Sequence, residues 1–101
     1  MEINAQKRGS KLYAALVGEL DQHSAEKVRI MLDTLIHDIT VRELTLDLSG
    51  VTFMDSAGLG VVLGRYKKIH MRGGKVIVTG VSASIDRIFK MSGIYTLVER
   101  K

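Results

Sequence analysis

The chain has 101 residues, 46% of them hydrophobic and 26% charged, which supplies one core and leaves too little length for a second domain. No apolar run approaches the roughly 18 residues of a spanning helix, and the absence of proline with only moderate charge excludes a disordered chain. With no cysteine, disulfide frameworks, thiolate zinc sites, iron–sulfur clusters and cysteine nucleophiles drop out, and a reducing cytoplasm is the expected setting.

The net charge is +4, which favours an acidic partner without naming one. Its distribution says more. Between Asp55 and Asp86 there is no acidic residue, while Arg65, Lys67, Lys68, Arg72 and Lys75 all fall there. Lys7, Arg8 and Lys11 ahead of Leu12 to Val17 imitate a secretion signal, but the apolar run is short and Glu19 closes it.

In chain order, Ile3 to Arg8 reads as an edge strand and Lys11 to Val17 as a second, joined through Gly9 and Ser10 and stopped by Gly18. From Ser24 to about Thr40, Val28, Met31, Leu32, Leu35, Ile36 and Ile39 recur at helical spacing and predict an amphipathic helix. Ser24 or Asp21 is placed to cap it, and Arg29 and Asp33 stand four apart on its outer face. Leu44, Leu46 and Leu48 then alternate with Thr45, Asp47 and Ser49 as in a strand.

Ser56 to about Met71 returns to helical period, with Leu59, Val62, Leu63, Tyr66 and Ile69 on one side and Arg65, Lys68 and Arg72 on the expected solvent side. Gly73 and Gly74 end it. Val76 to Val78 predicts a strand, Ser82 starts a short helix that buries Ile85, Ile88 and Phe89, Gly93 stops it, and Tyr95 to Val98 predicts the last strand. The expected fold is α/β, a single domain over residues 1–101 with strand and helix order ββαβαβαβ. Its repeated strand-helix-strand units imply right-handed crossovers and a mixed, largely parallel sheet.

Most chemical motifs fail on spacing. No two of His23, His37 and His70 are three or four apart on one helix, so no metal is expected. Leu63 stands where a dinucleotide fingerprint needs its third glycine, and Gly64 is followed by Arg65 and Tyr66 rather than by the lysine and hydroxyl of a Walker loop. An RNA surface wants aromatic side chains among its cations, and Tyr66 belongs to the inward stripe. A serine nucleophile at Ser56 would need His23 as base and lacks the nucleophile-elbow glycines.

Phe53-Met54-Asp55-Ser56-Ala57-Gly58-Leu59-Gly60 lies where a strand ends and a helix begins. The ordinary role for Ser56 there is the helix N-cap. A phosphate on it would meet free amides and the positive end of the helix dipole, and would add about −1.5 to −2 charges beside Asp55. That chemistry suits a reversible binding switch.

The chain resembles the anti-sigma factor antagonists of the STAS fold over residues 3–98. The resemblance is carried by Gly18-Glu19-Leu20-Asp21-Gln22-His23-Ser24-Ala25-Glu26, by Phe53 to Gly60, by Leu63-Gly64-Arg65-Tyr66-Lys67 and by Phe89-Lys90-Met91-Ser92-Gly93, and is strongest toward sporulation members. It implies a cytoplasmic binding protein, not an enzyme, without cofactor and a monomer when free. Unmodified, such a protein binds an anti-sigma factor that is also a serine kinase and so releases the sigma factor. Phosphorylation of the motif serine, here Ser56, weakens that complex, and a PP2C-type phosphatase reverses it. Asp21, His23, Asp55, Ser56, Gly58, Leu59 and Gly60 are the partner-binding residues it implies, with no direct nucleic-acid or membrane contact. Many sporulation members have Ser-Ser-Gly where this chain has Ser56-Ala57-Gly58, which leaves one acceptor here. Many relatives also continue into a further helix after the last strand. An unregulated scaffold of the same fold, and less readily a basic nucleic-acid-binding domain, are the alternatives.

Overall fold

A computed structural model describes all residues, Met1–Lys101. Five strands form one sheet in the order β1 (Glu2–Arg8), β2 (Lys11–Leu20), β3 (Glu43–Met54), β4 (Lys75–Thr79) and β5 (Glu99–Arg100). β1 and β2 are an antiparallel hairpin, and β2 through β5 run parallel. Helices α1 (Ala25–Ile36), α2 (Ser56–His70) and α3 (Ala83–Ser92) make the crossovers, so the expected element order and mixed sheet are observed.

Strand alternation decides which face is covered. Leu12, Ala14 and Leu16 of β2, Leu44, Leu46 and Leu48 of β3 and Val76 and Val78 of β4 are buried in one cluster with Val28, Leu32 and Ile36 of α1, Val61, Val62 and Ile69 of α2, and Ile85 and Phe89 of α3. The helices therefore lie on one face of the sheet. The other face leaves Tyr13 and Val17 exposed, with the Tyr13 hydroxyl donating to Asp47 at 3.0 Å.

Beyond the end of β2, which runs through Gly18 to Leu20 rather than stopping at Val17, three sequence expectations are corrected. Helix α1 stops at Ile36 rather than near Thr40, and Ile39, expected on the inner stripe, is 74% exposed. The Asp38 carboxylate accepts from the Thr40 amide and hydroxyl at 2.9 and 2.6 Å, a local turn that competes with another helical turn. Tyr95 to Val98 is not a strand: Ile94–Thr96 is a 3-10 turn, and pairing begins only at Glu99. Gly93 at φ 77° turns the chain out of α3, so Ile94 and Val98, four apart, both reach the core. Tyr95 meets Phe89 edge-on at 5.6 Å and donates to Asp86 at 2.6 Å.

The third correction concerns the basic window. Arg65 is not on the solvent side of α2. Its side chain is 5% exposed and its Nε stands 3.0 Å from Asp33 of α1, with Lys68 3.1 Å from the same carboxylate. The expected Arg29 pair with Asp33 is present but longer, at 3.9 Å. Arg72 donates to the backbone oxygens of Ile36, Asp38 and Val41, so a cation from the end of α2 serves the C-terminal carbonyls of α1. Lys75 pairs with Glu43 and Glu99. Of the five cations only Arg65 is buried, but Arg65, Lys68, Arg72 and Lys75 are each paired within the molecule, which weakens the case for a basic surface free to bind nucleic acid.

Candidate partner-binding site

The site is built at the C-terminal ends of β2 and β3, where two loops enter α1 and α2. β3 ends at buried Met54, and Asp55 follows in an extended conformation. Asp55, not Ser56, is the N-cap of α2: its Oδ1 accepts from the amides of Ala57 and Gly58 at 2.9 and 3.1 Å. The aspartate wins because the cap must be the last non-helical residue, and Ser56 already belongs to the helix.

The other oxygen of Asp55 reaches across to the neighbouring loop. Oδ2 accepts from the Gln22 amide at 3.0 Å, so one carboxylate fastens both loops. Asp21 organises the first of them, its Oδ1 accepting from the amides of His23 and Ser24 at 2.9 and 3.1 Å. Hydrogen bonding from Ser24, and then from His23, holds the Asp21 carboxyl below its ordinary range. Ser24 is formally the cap of α1 but makes no side-chain cap bond. Its hydroxyl donates instead to the Glu19 carbonyl at 2.7 Å.

On this frame Ser56 is exposed, and its hydroxyl makes no hydrogen bond to the protein. The expectation that a phosphate there would find free amides is corrected for Ala57 and Gly58, whose amides Asp55 already holds. A group added to Ser56 projects outward beside a carboxylate.

The neighbouring residues divide by depth. Gly58 is buried, and a Cβ on it would stand 2.3 Å from the Leu20 carbonyl oxygen and 2.7 Å from Met54 Cγ. It lets α2 approach the end of β2 rather than offering surface. Leu59 is half-buried against the core. Gly60 is exposed with open space around its Cα, and it shares a shallow groove between α1 and α2 with Gln22, Ala25, Glu26, Arg29 and Ala57. His23 is exposed on the first loop. Asp21, His23 and Asp55 thus lie on two loops tied together, with Ser56 and Gly60 in the opening turns of α2 beside them. Sequence reasoning missed Gln22, which acts through its backbone, and Arg29, whose place in the groove follows only from how α1 lies beside α2.

These features invite comparison with known folds. The model of the STAS domain family matches residues 2–100. This chain belongs to the STAS domain family. Over 98 residues the STAS domain is 37% identical to the anti-sigma F factor antagonist of Paenibacillus polymyxa, covering 97% of this chain and 84% of that protein. It also superposes on the anti-sigma factor antagonist SpoIIAA in its unphosphorylated form with a TM-score of 0.79 at 25% identity, over 99% of this chain and 87% of that one. The phosphorylated form of SpoIIAA, described as a Bacillus cell fate determinant, gives a TM-score of 0.78 at 27% identity, over 99% and 91%.

Proposed function

We propose that this STAS domain is an anti-anti-sigma factor whose unmodified form binds an anti-sigma factor and frees a sigma factor, and whose phosphorylation on Ser56 switches that binding off. The observation that carries the reading is the Ser56 hydroxyl, exposed and unbonded at a helix start that Asp55 already caps. Relatives named as anti-sigma factor antagonists, one known in a phosphorylated form, supply the context. Because the cap and the loop tie do not use Ser56, esterifying it leaves the fold intact and changes what the surface presents.

The chemistry sets the size of the effect. A doubly charged group placed beside the carboxylate of Asp55, on a surface matched to a hydroxyl, costs a docked partner several kcal/mol, and each 1.4 or so is tenfold in affinity. The partner is an anti-sigma factor that is itself a serine kinase, and a PP2C-type phosphatase resets the switch. Asp21, His23 and Gly60 lie around Ser56 as contact residues, and Leu59 contributes from below. The setting is cytoplasmic; no helix is long and apolar enough to cross a membrane.

The test is incubation with the cognate kinase and ATP, followed by mapping of the phosphate and titration of the complex. Phosphate on Ser56, and a Ser56→Asp variant that binds the kinase at least about tenfold more weakly, are expected. Phosphate elsewhere, or undiminished binding by the phosphorylated form, overturns the reading.

A further inference from the structure

Strand β1 is an open edge. Residues Asn4 to Arg8 are all exposed, and no element pairs with the strand on its outer side. The other edge of the sheet, β5, is only two residues long. Proteins usually blunt a seven-residue edge with a proline, a bulge or an outward lysine. This chain has no proline, the β1–β2 register is unbroken while the shifts fall between β2 and β3, and Lys7 is drawn to Asp38 at 3.0 Å. The edge is regular, and the charges of Glu2, Lys7 and Arg8 are its guard against unmatched partners.

The hairpin register tells which backbone groups are free. Arg8 pairs with Lys11 around the two-residue Gly9–Ser10 turn, and the pair closing such a turn is hydrogen-bonded. Glu2, Asn4, Gln6 and Arg8 therefore spend their amides and carbonyls on β2, and Ile3, Ala5 and Lys7 point theirs outward. An antiparallel partner must match outward groups with outward groups, which for a second β1 requires a two-fold axis through a residue. The axis that overlaps the whole strand passes through Ala5.

We propose that β1 pairs with β1 of a second copy about a two-fold axis at Ala5, joining two five-stranded sheets into one of ten strands. In this register Ala5 faces Ala5 and each Ile3 faces Lys7 of the other copy, giving about six backbone hydrogen bonds. Charge selects the same register. Glu2 falls opposite Arg8 of the other copy at both ends, in the non-hydrogen-bonded pairs whose Cα atoms approach to about 4.5 Å and whose side chains meet most closely. Asn4 falls opposite Gln6. The strand is complementary to itself. Since the two copies run in opposite directions, their Ser56 sites lie at opposite ends of the joined sheet and both stay open, so the dimer is independent of the proposed switch. It replaces the monomer that family resemblance implies.

Edge pairing buries little surface, so the dimer is concentration-dependent and belongs with small, transient interfaces. Sedimentation of the full chain from about 1 µM to about 1 mM should show the mass rising from one copy toward two. Glu2→Arg and Arg8→Glu each place like charges opposite one another and should weaken dimerisation at least about tenfold, while the double variant restores it. Ala5→Pro removes an amide that faces outward, a position where an edge strand tolerates proline, and should leave a folded single copy. A mass of one chain throughout overturns the proposal, as does a dimer indifferent to the charge reversals. If Ala5→Pro fails to fold, the reversal and its rescue decide alone.

Discussion

The Asp55 carboxylate holds three amides, two in the first turn of α2 and one in the neighbouring loop, so its removal opens more than a cap. Asp55→Ala should lower stability by about 1–2 kcal/mol, measured by urea unfolding, and should loosen the loop around Gln22. Ser56→Ala should stay within about 0.5 kcal/mol of the parent, because that hydroxyl makes no bond within the protein. The contrast separates a structural residue from its signalling neighbour. A second group responds to pH. Burial first, and then donation to Asp86, push the Tyr95 phenol up to about 12. A phenol whose folded value is raised stabilises the fold fully below its unfolded value of about 10, and that support is lost as pH climbs through the folded one. Ultraviolet titration should therefore show a tyrosine ionising near 12 that Tyr95→Phe abolishes.

Within α2, glycines at similar spacing do opposite work. Gly58→Ala forces a methyl toward the Leu20 carbonyl oxygen and should cost about 1–3 kcal/mol as the helix start is pushed off the sheet. Gly60→Ala meets nothing within 4 Å and should stabilise the helix by roughly 0.5–1 kcal/mol. Thermal unfolding reads both changes. If Gly60 is a contact residue, as proposed, the more stable variant binds the kinase more weakly.

At the scale of the whole molecule, α1 and α2 are joined by an ion pair that is dry where Arg65 meets Asp33 Oδ1 and open at the other carboxylate oxygen, which Lys68 holds. Arg65 Nη1 and Nε and Asp33 Oδ1 are all buried without an aligned hydrogen bond, although Nε and Oδ1 stand 3.0 Å apart. Burial pushes the guanidinium pKa down, against the opposing pull of Asp33. Asp33 is less enclosed and keeps Lys68. The two halves of the pair should therefore respond unequally. Asp33→Ala strands a buried charge and should cost about 3 kcal/mol, whereas Arg65→Met, which keeps the packing stem, should cost about 1 kcal/mol. Equal losses in urea unfolding would contradict that account.

Element order, sheet type and the strand-to-helix junction that carries Ser56 were legible in the sequence because they are local. Alternation in Leu44, Leu46 and Leu48, helical spacing from Val28 to Ile36 and the stop at Gly93 each operate within a few residues. What escaped depends on residues far apart along the chain. The cap fell to Asp55 rather than Ser56, and a Gln22 amide turned that cap into a tie between loops. Arg65 and Arg72 left the solvent face because Asp33 and the carbonyls ending α1 wait across the helix interface, and Ile94 to Val98 became a turn because both its apolar ends reach the core. Side-chain periodicity reports which face of an element is apolar. Which polar group meets which is decided only when the elements pack, because burying a charge or a carbonyl is costly until a partner from elsewhere in the fold arrives.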